Sequence, residues 1–486
     1  MAENSSMRKA WYLIVPAELW KVLEAHLFPG DGDEHGAVIA AGMAESERRV
    51  RLLARELFLA RDGSDYVPGQ RGYRMLTAEF VRDKALYCRD ERLAYLAVHN
   101  HGGRNQVEFS KDDLASHERG YPALLDVVQG QVVGALVFAR NAVAGDIWMP
   151  SGSRVELTAA RMIGPITREL TPSPARVSGK RAETYDRQAR LFGDRGQEIL
   201  RNQKVGIIGA GGVGSLLVEY LARLGVNHIV IADPQRIEIT NLPRVVGSRH
   251  RDALTWLTRE GRPEWVRRLG LRFAKPKVLI AGRVARAANP KIILEAIQGD
   301  FVDVGVARRF VDCDYLFLAA DTMQARLVFN AMVHQYLIPG VQVGAKVSVD
   351  KGTGTILRAF SVVRTVYPWQ GCLWCNGLIS PDRLQEEALS TDERRAQKYV
   401  EEEEVAAPSV ITLNALAAGY AANDYLFRIT GLRNEAAADD FVYFEPGVEE
   451  VRFDRPRRDE ECIQCGSGPR SRRGRGDGAS LPTREG

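Results

Sequence analysis

At 486 residues the chain has room for about three domains, or two larger ones. Hydrophobic residues make up 45% and charged residues 26%, a globular balance that excludes a fibrous or wholly disordered protein. Net formal charge is +4, and the last twenty residues, Ser467–Gly486, hold five Arg against one Asp and one Glu, so the body is nearly neutral and nucleic acid is not an expected partner. No apolar run approaches the roughly 18 residues that cross a bilayer, and Met1–Pro16 lacks a signal peptide's apolar stretch. A cytoplasmic chain with no membrane partner is expected.

Along the chain, Ala17–Leu27 has helical spacing, and Gly36–Ala41, Arg92–Val98 and Val132–Arg140 read as strands. Thr171–Thr184 is rich in Pro, Ser, Gly and charge and reads as a linker. After it comes strand Lys204–Gly209, a glycine turn to Gly214, helix Ser215–Leu224 and strand His228–Asp233. That alternation predicts an α/β domain built on a doubly wound parallel sheet, with further strands at Lys291–Ile297 and Asp314–Ala320. His250–Phe273 reads as a charged helical stretch and Glu401–Glu404 as a solvated acidic loop. The Arg/Gly-rich residues 467–486 read as a disordered tail.

The first chemistry-bearing pattern is His99-Asn100-His101 at a strand's end, followed by Ser110-Lys111-Asp112-Asp113 opening a helix. Alternate residues of an extended chain share a side, so both imidazoles can reach one metal, and a carboxylate of the next helix can complete the set. Two His plus a carboxylate, with a fourth position open, is a catalytic zinc set; the bland alternative makes Ser110-x-x-Asp113 only a helix cap. These residues resemble the MPN/JAMM (JAB) metalloproteases, whose signature is an upstream Glu, then HxH, then SxxD. The resemblance covers about residues 10–165 and implies a JAB α/β domain over residues 1–170. It implies that His99, His101 and Asp113 ligate zinc, that Glu34 is general acid/base and that Ser110 stabilises the oxyanion. It departs from the family in the eight residues between His101 and Ser110, where seven are usual, and in Gly102 for the usual Pro. Asp33, beside Glu34, competes for its assignment.

The second pattern is Gly209-Ala-Gly211-Gly212-Val-Gly214 between a strand and a helix, with Asp233 ending the next strand. Such glycines bring backbone amides and a helix N-terminus up to phosphates, and Asp233 can reach a ribose. Alone this fits a dehydrogenase equally well. The later residues decide: Tyr185-Asp-Arg187-Gln, Asn241-Leu-Pro-Arg244, Lys277 opening a helix, Asp321 after a strand, and Pro408-Ser-Val. With two CxxC pairs, this set resembles the ThiF-like adenylyltransferases from Tyr185 to Cys465, giving a domain over residues 185–466. The resemblance implies ATP and magnesium as cofactors, with Arg244 and Lys277 on the phosphates, Asp321 on magnesium, Asp233 on the ribose and Asn241 orienting the phosphates. Arg187 would reach the ATP of a partner subunit, hence a homodimer. Gln235 and Thr322 stand where the family has an acid and an Asn, and thirty-two residues separate Arg244 from Lys277, more than is usual.

Cys372-x-x-Cys375 and Cys462-x-x-Cys465 read as a closed, structural four-cysteine zinc site. Cys88 and Cys313 read as structural, and no cysteine lies between Cys375 and Cys462, where ubiquitin-activating relatives carry a thioester nucleophile. The joint reading is a bifunctional enzyme of a bacterial-type ubiquitin-like pathway. It would adenylate the C-terminal Gly of a ubiquitin-like protein and cleave at such C-termini, handing the adenylate to a conjugating enzyme's thiol or a sulfur donor. The alternatives are activation of a sulfur carrier for thiamine, molybdopterin or cysteine synthesis, and an activating enzyme whose JAB domain only docks.

Overall fold

The computed structural model describes residues 9–69, 72, 74–174, 183–350, 353, 355–388 and 408–485. The chain divides into two compact units. Residues 175–182 of the expected linker and the acidic run Glu401–Glu404 lie outside the described residues.

The first unit holds a nine-stranded sheet. Its strands are β1 (Ala10–Pro16), β2 (Gly36–Glu45), β3 (Arg49–Leu59), β4 (Ala94–Asn100), β5 (Val133–Ala139), β6 (Ala142–Trp148), β7 (Arg154–Glu156), β8 (Ala159–Ile163) and β9 (Arg168–Leu170). Helices α1 (Ala17–Leu27), α2 (Ala78–Glu91) and α3 (Lys111–Val128) pack on it. In α1, Trp20, Leu23 and Leu27 recur at helical spacing and are the buried residues. β4 pairs antiparallel with β2 and parallel with β5, so both its edges are covered and its side chains are largely buried. The register sets Gly36 opposite His99.

The second unit holds an eight-stranded sheet of β10 (Lys204–Ile208), β11 (His228–Ala232), β12 (Ile293–Ile297), β13 (Tyr315–Leu318), β14 (Gly340–Val349), β15 (Ile356–Val366), β16 (Phe441–Glu445) and β17 (Glu450–Asp454). Its helices are α4 (Asp186–Asn202), α5 (Gly212–Leu224), α6 (Thr255–Thr258), α7 (Glu264–Phe273), α8 (Lys277–Ala288), α9 (Val304–Ala307), α10 (Met323–Gln335), α11 (Pro381–Ala388) and α12 (Ile411–Thr430). The order β12-β11-β10-β13-β14 is parallel throughout and reverses direction at β10. That switch point opens a crevice at the carboxyl ends of β10 and β13. The sheet is not parallel throughout, as the sequence suggested: β14 to β17 are antiparallel, because connections as short as the one from β14 to β15 cannot make a crossover.

Two other expectations are corrected. His250–Phe273 is not one helical stretch but turns with two helices, parted by Gly261 at φ +84° and Pro263 at the N-cap of α7. The Arg/Gly tail is ordered, and residues 472–480 belong to the first unit. Arg473 pairs with Glu18, and Arg475 with Glu91 at 2.7 Å. The backbone N–H of Asp477 donates to Met43 O at 2.7 Å, and its carboxylate accepts from the N–H of Glu45 at 2.8 Å. Glycine here serves close backbone approach: a Cβ on Gly42 would lie 2.1 Å from Gly474 O. Composition cannot distinguish that use from low complexity.

Candidate metal centre and nucleotide cradle

In the first unit the β2–β4 register carries Glu34 to the end of β4, and the N–H of His35 donates to Asn100 Oδ1 at 2.6 Å. Nε2 of His99 and of His101 lie 3.2 Å apart. Asp113 Oδ1 is 3.6 Å from His99 Nε2, and its Oδ2 is 3.3 Å from His101 Nε2. One donor atom from each of the three residues lies within 4.8 Å of the others, the crowding a shared cation requires. His101 Nδ1 faces Glu108 O at 3.1 Å; as donor there it leaves the Nε2 lone pair for a metal.

Glu34 Oε1 stands 3.7 Å from His101 Nε2, whereas Asp33 turns away to accept from the N–H of Gly72. Burial raises the Glu34 carboxyl, against the pull of both imidazoles. Burial also works against the charged form of Asp113, but hydrogen bonds with His101, His99 and Ser110 hold it well below the usual carboxylate range. Ser110 makes a full capping box: its Oγ accepts from the Asp113 N–H at 3.1 Å and its own N–H donates to Asp113 Oδ2 at 2.8 Å, to which the Oγ also donates at 2.7 Å. Ser110 thus caps α3 and fixes a candidate ligand together.

In the second unit the four cysteines are buried and their sulfurs converge. Cys372 Sγ is 3.6 Å from Cys375 Sγ and 3.8 Å from Cys462 Sγ, and Cys375 Sγ is 3.5 Å from Cys465 Sγ. A tetrahedron with metal–sulfur bonds of about 2.3 Å has edges near 3.8 Å, so the thiols are spaced for zinc. With all four positions filled, no water is left for catalysis. Cys88 and Cys313 are buried and unbridged.

The glycine turn sits in the crevice. Gly209 adopts φ +99°, and a Cβ there would meet Ala319 backbone atoms at 3.0 Å. A Cβ on Gly214 would lie 1.9 Å from Gly209 O, so only glycine lets α5 start this close to the strand, whereas Gly211 faces open space. Asp233 accepts from the N–H of Ala210 at 2.7 Å and of Gln235 at 2.8 Å, closing the turn. Asn241 is buried and caps its own short turn through the N–H of Glu238. Arg244 passes Gly212, its Cδ 3.6 Å from where a Cβ would stand.

Lys277 is buried at the start of α8 and donates to Gln235 Oε1 at 2.6 Å. Burial lowers its ammonium, with Arg244 adding to the effect and Asp233, Glu238 and Asp321 opposing it. Asp233 and Arg244 thus border the turn, and Gln235 links Lys277 to Asp233, whereas Asp321 stands exposed just after β13. Arg187 stands exposed on α4.

Residues 185–465, over half of the chain, match the ThiF family. The chain belongs to the ThiF family. Its curated relatives include a sulfur carrier protein adenylyltransferase of Thermus thermophilus, 27% identical over 150 residues, 30% of this chain and 48% of that protein. A SAMP-activating enzyme E1 of Haloferax volcanii is 26% identical over 36% of this chain and 57% of its own length. The molybdopterin-synthase adenylyltransferase of Escherichia coli is 26% identical over 36% of this chain and 63% of its own. The chain thus spans about half the length of these relatives. No helix among the described residues is long and apolar enough to cross a membrane.

One residue of this ThiF-family crevice escapes a reading by motif. Asn414 is buried in α12, and its Nδ2 lies 2.3 Å from where a Gly212 Cβ would be. Its signal was a lone amide in the apolar run Ile411-Thr-Leu-Asn-Ala-Leu-Ala-Ala. Gln235, which stands where the family has an acid, is the acceptor that orients Lys277.

Proposed function

We propose that the second unit uses ATP and magnesium to adenylate the C-terminal Gly of a ubiquitin-like or sulfur-carrier protein. The reading rests on Asp233, Arg244 and Lys277 bordering the glycine turn of a ThiF-family chain. The names of the relatives, which speak of activating enzymes and adenylyltransferases, support it. A carboxylate oxygen of the small protein attacks the α-phosphorus; the new O–P bond forms as the bond to pyrophosphate breaks. Both reactants are anionic, so Lys277 and Arg244 offset their repulsion and the charge that builds on the phosphoryl oxygens. Lys277 does so with a neutral partner, Gln235, which leaves its charge uncancelled. Asp321 would hold magnesium. Asp233, engaged with the turn's amides, would take the ribose, and Asn241 shapes the phosphate side. Arg187 would serve a second copy's ATP, so the active species is a homodimer. The acyl group passes to a thiol or sulfur on another protein, since the stretch between Cys375 and Cys462 has no cysteine.

The first unit is proposed to be a JAMM-type peptidase acting on the same class of C-terminus, maturing a precursor or removing a conjugate. His99, His101 and Asp113 offer two imidazole nitrogens and a carboxylate oxygen, a donor set that fits zinc. A zinc bound there supplies an acidified water. Glu34 Oε1 takes a proton from the attacking water and returns it to the leaving amine nitrogen. Ser110, whose hydroxyl proton goes to Asp113 Oδ2 in this structure, would turn it to the oxyanion.

Exchange of radiolabelled pyrophosphate into ATP tests the first reading, using purified ubiquitin-like proteins that end in Gly, with and without a C-terminal amide. Exchange that requires the free carboxylate supports it; exchange that ignores the amide, or none with any such protein, overturns it.

A further inference from the structure

Next to the proposed metal centre lies a buried polar network that neither proposed reaction uses. One turn beyond Asp113 on α3, His117 is buried, and its Nδ1 meets Asp146 Oδ2 on β6 at 2.9 Å. The same carboxylate accepts from Trp148 Nε1 at 3.0 Å and from Arg154 Nε and Nη2 at 3.1 and 2.8 Å. The His117 ring stacks on Tyr121 at 4.7 Å and meets Phe109 edge-on at 5.0 Å. Phe109 also meets the His99 ring, centroids 6.2 Å apart, and it immediately precedes Ser110.

Stability alone does not explain this arrangement. Burying a carboxylate beside an imidazole costs desolvation, and a well-packed apolar pair of similar volume commonly docks a helix as firmly or better. An apolar pair, however, lets a helix slide and rotate by fractions of an ångström. A directional hydrogen bond fixes its rotation. Asp113 is four residues from His117, on the same face of α3, so rotation at one is rotation at the other.

We propose that Asp146 and His117 are positioning residues that set the rotation of α3, and through Phe109 the seating of His99, so that Asp113, His99 and His101 meet one metal ion. This rests on the metal reading of the first unit. Partners that orient metal ligands from behind are typically worth ten- to a hundred-fold in affinity.

The test uses zinc alone as probe on the full chain, counted per chain and titrated against a chromophoric chelator. Wild type is compared with Asp146→Asn, His117→Gln and the apolar double variant Asp146→Leu/His117→Leu. The expected result is two zinc ions per wild-type chain, and ten- to a hundred-fold weaker binding of one of them in all three variants. The cysteine-bound ion is unchanged, and the double variant, which also takes the acceptor from Trp148 Nε1, still melts cooperatively as a folded chain. If the single variants lose affinity only as far as they lose stability, or the double variant keeps wild-type affinity, the pair is merely structural and the inference fails. Should the double variant not fold, the single variants decide, because unchanged zinc affinity in them overturns it. One zinc per wild-type chain overturns the metal reading, and the inference with it.

Discussion

Gly211 and Gly214 stand three residues apart in one turn, yet a methyl group on each has opposite consequences. On Gly214 the added Cβ would lie 1.9 Å from Gly209 O, where at least about 3 Å is needed. The obstacle is a backbone carbonyl that cannot rotate aside, so α5 must back away from β10 by about 1 Å. Overpacking of this kind costs about 1–3 kcal/mol, and a fixed backbone acceptor puts it near the upper end. Alanine's better helix propensity returns up to about 1 kcal/mol, leaving a net loss of about 2 kcal/mol. For a unit of this size that lowers the melting temperature by about 3 °C. Gly211 has no heavy atom within 4 Å of its Cβ position, and its extended backbone (φ −78°, ψ −153°) is not left-handed, so alanine there meets no clash. Gly211→Ala is therefore expected to melt with wild type, while its methyl, on the open side where phosphates would sit, raises the Kd for ATP about tenfold, or about 1.4 kcal/mol. Calorimetric melting and ATP titration of the two variants give four numbers. A Gly214→Ala chain that melts with wild type would refute the close-packing argument, and a Gly211→Ala chain with unaltered ATP affinity would refute the place assigned to the phosphates.

Other expectations follow from single contacts. Lys277→Met keeps the buried volume but removes the ammonium facing Gln235, so pyrophosphate exchange should drop about 10²- to 10³-fold with melting little changed. A chain still active within tenfold excludes Lys277 from charge stabilisation. Cys465→Ser should remove one zinc equivalent and loosen residues 459–467, measured by elemental analysis and limited proteolysis. Truncation after Ser471 should lower the melting temperature of the first unit, because it strips the Arg473–Glu18 and Arg475–Glu91 pairs and uncovers Gly42; equal melting of the two forms would show the tail to be idle. Burial would raise Asp146, but hydrogen bonds from His117, Arg154 and Trp148 outweigh it and bring the carboxyl from 3.8 to about 2. Its folded value lies below its unfolded one, so about 2 kcal/mol of stability is present above pH 4 and is lost as pH falls toward 2. Asp146→Asn should flatten that part of the pH–stability curve, as urea titrations between pH 2 and 5 would reveal.

The sequence by itself settled what is written in local spacing. Helix α1 begins and ends where the apolar periodicity does, at Ala17 and Leu27, and the strand–glycine–helix run at 204–224 could be read directly. Four cysteines in two CxxC pairs announce a joint site by their spacing alone, because thiols so arranged have few other uses. Only the tertiary structure set Glu34 Oε1 near His101 and turned Asp33 to Gly72, since both depend on the register of β2 on β4, about sixty residues away. It also decided that the antiparallel strands extend the parallel sheet, that Asn414 lies beside the glycine turn, and that Gln235 is the acceptor for Lys277. The tail shows the limit best: its glycines and arginines read as disorder because their partners Gly42, Glu18 and Glu91 lie hundreds of residues earlier. Long-range contacts of that kind leave no periodicity in the segment that makes them.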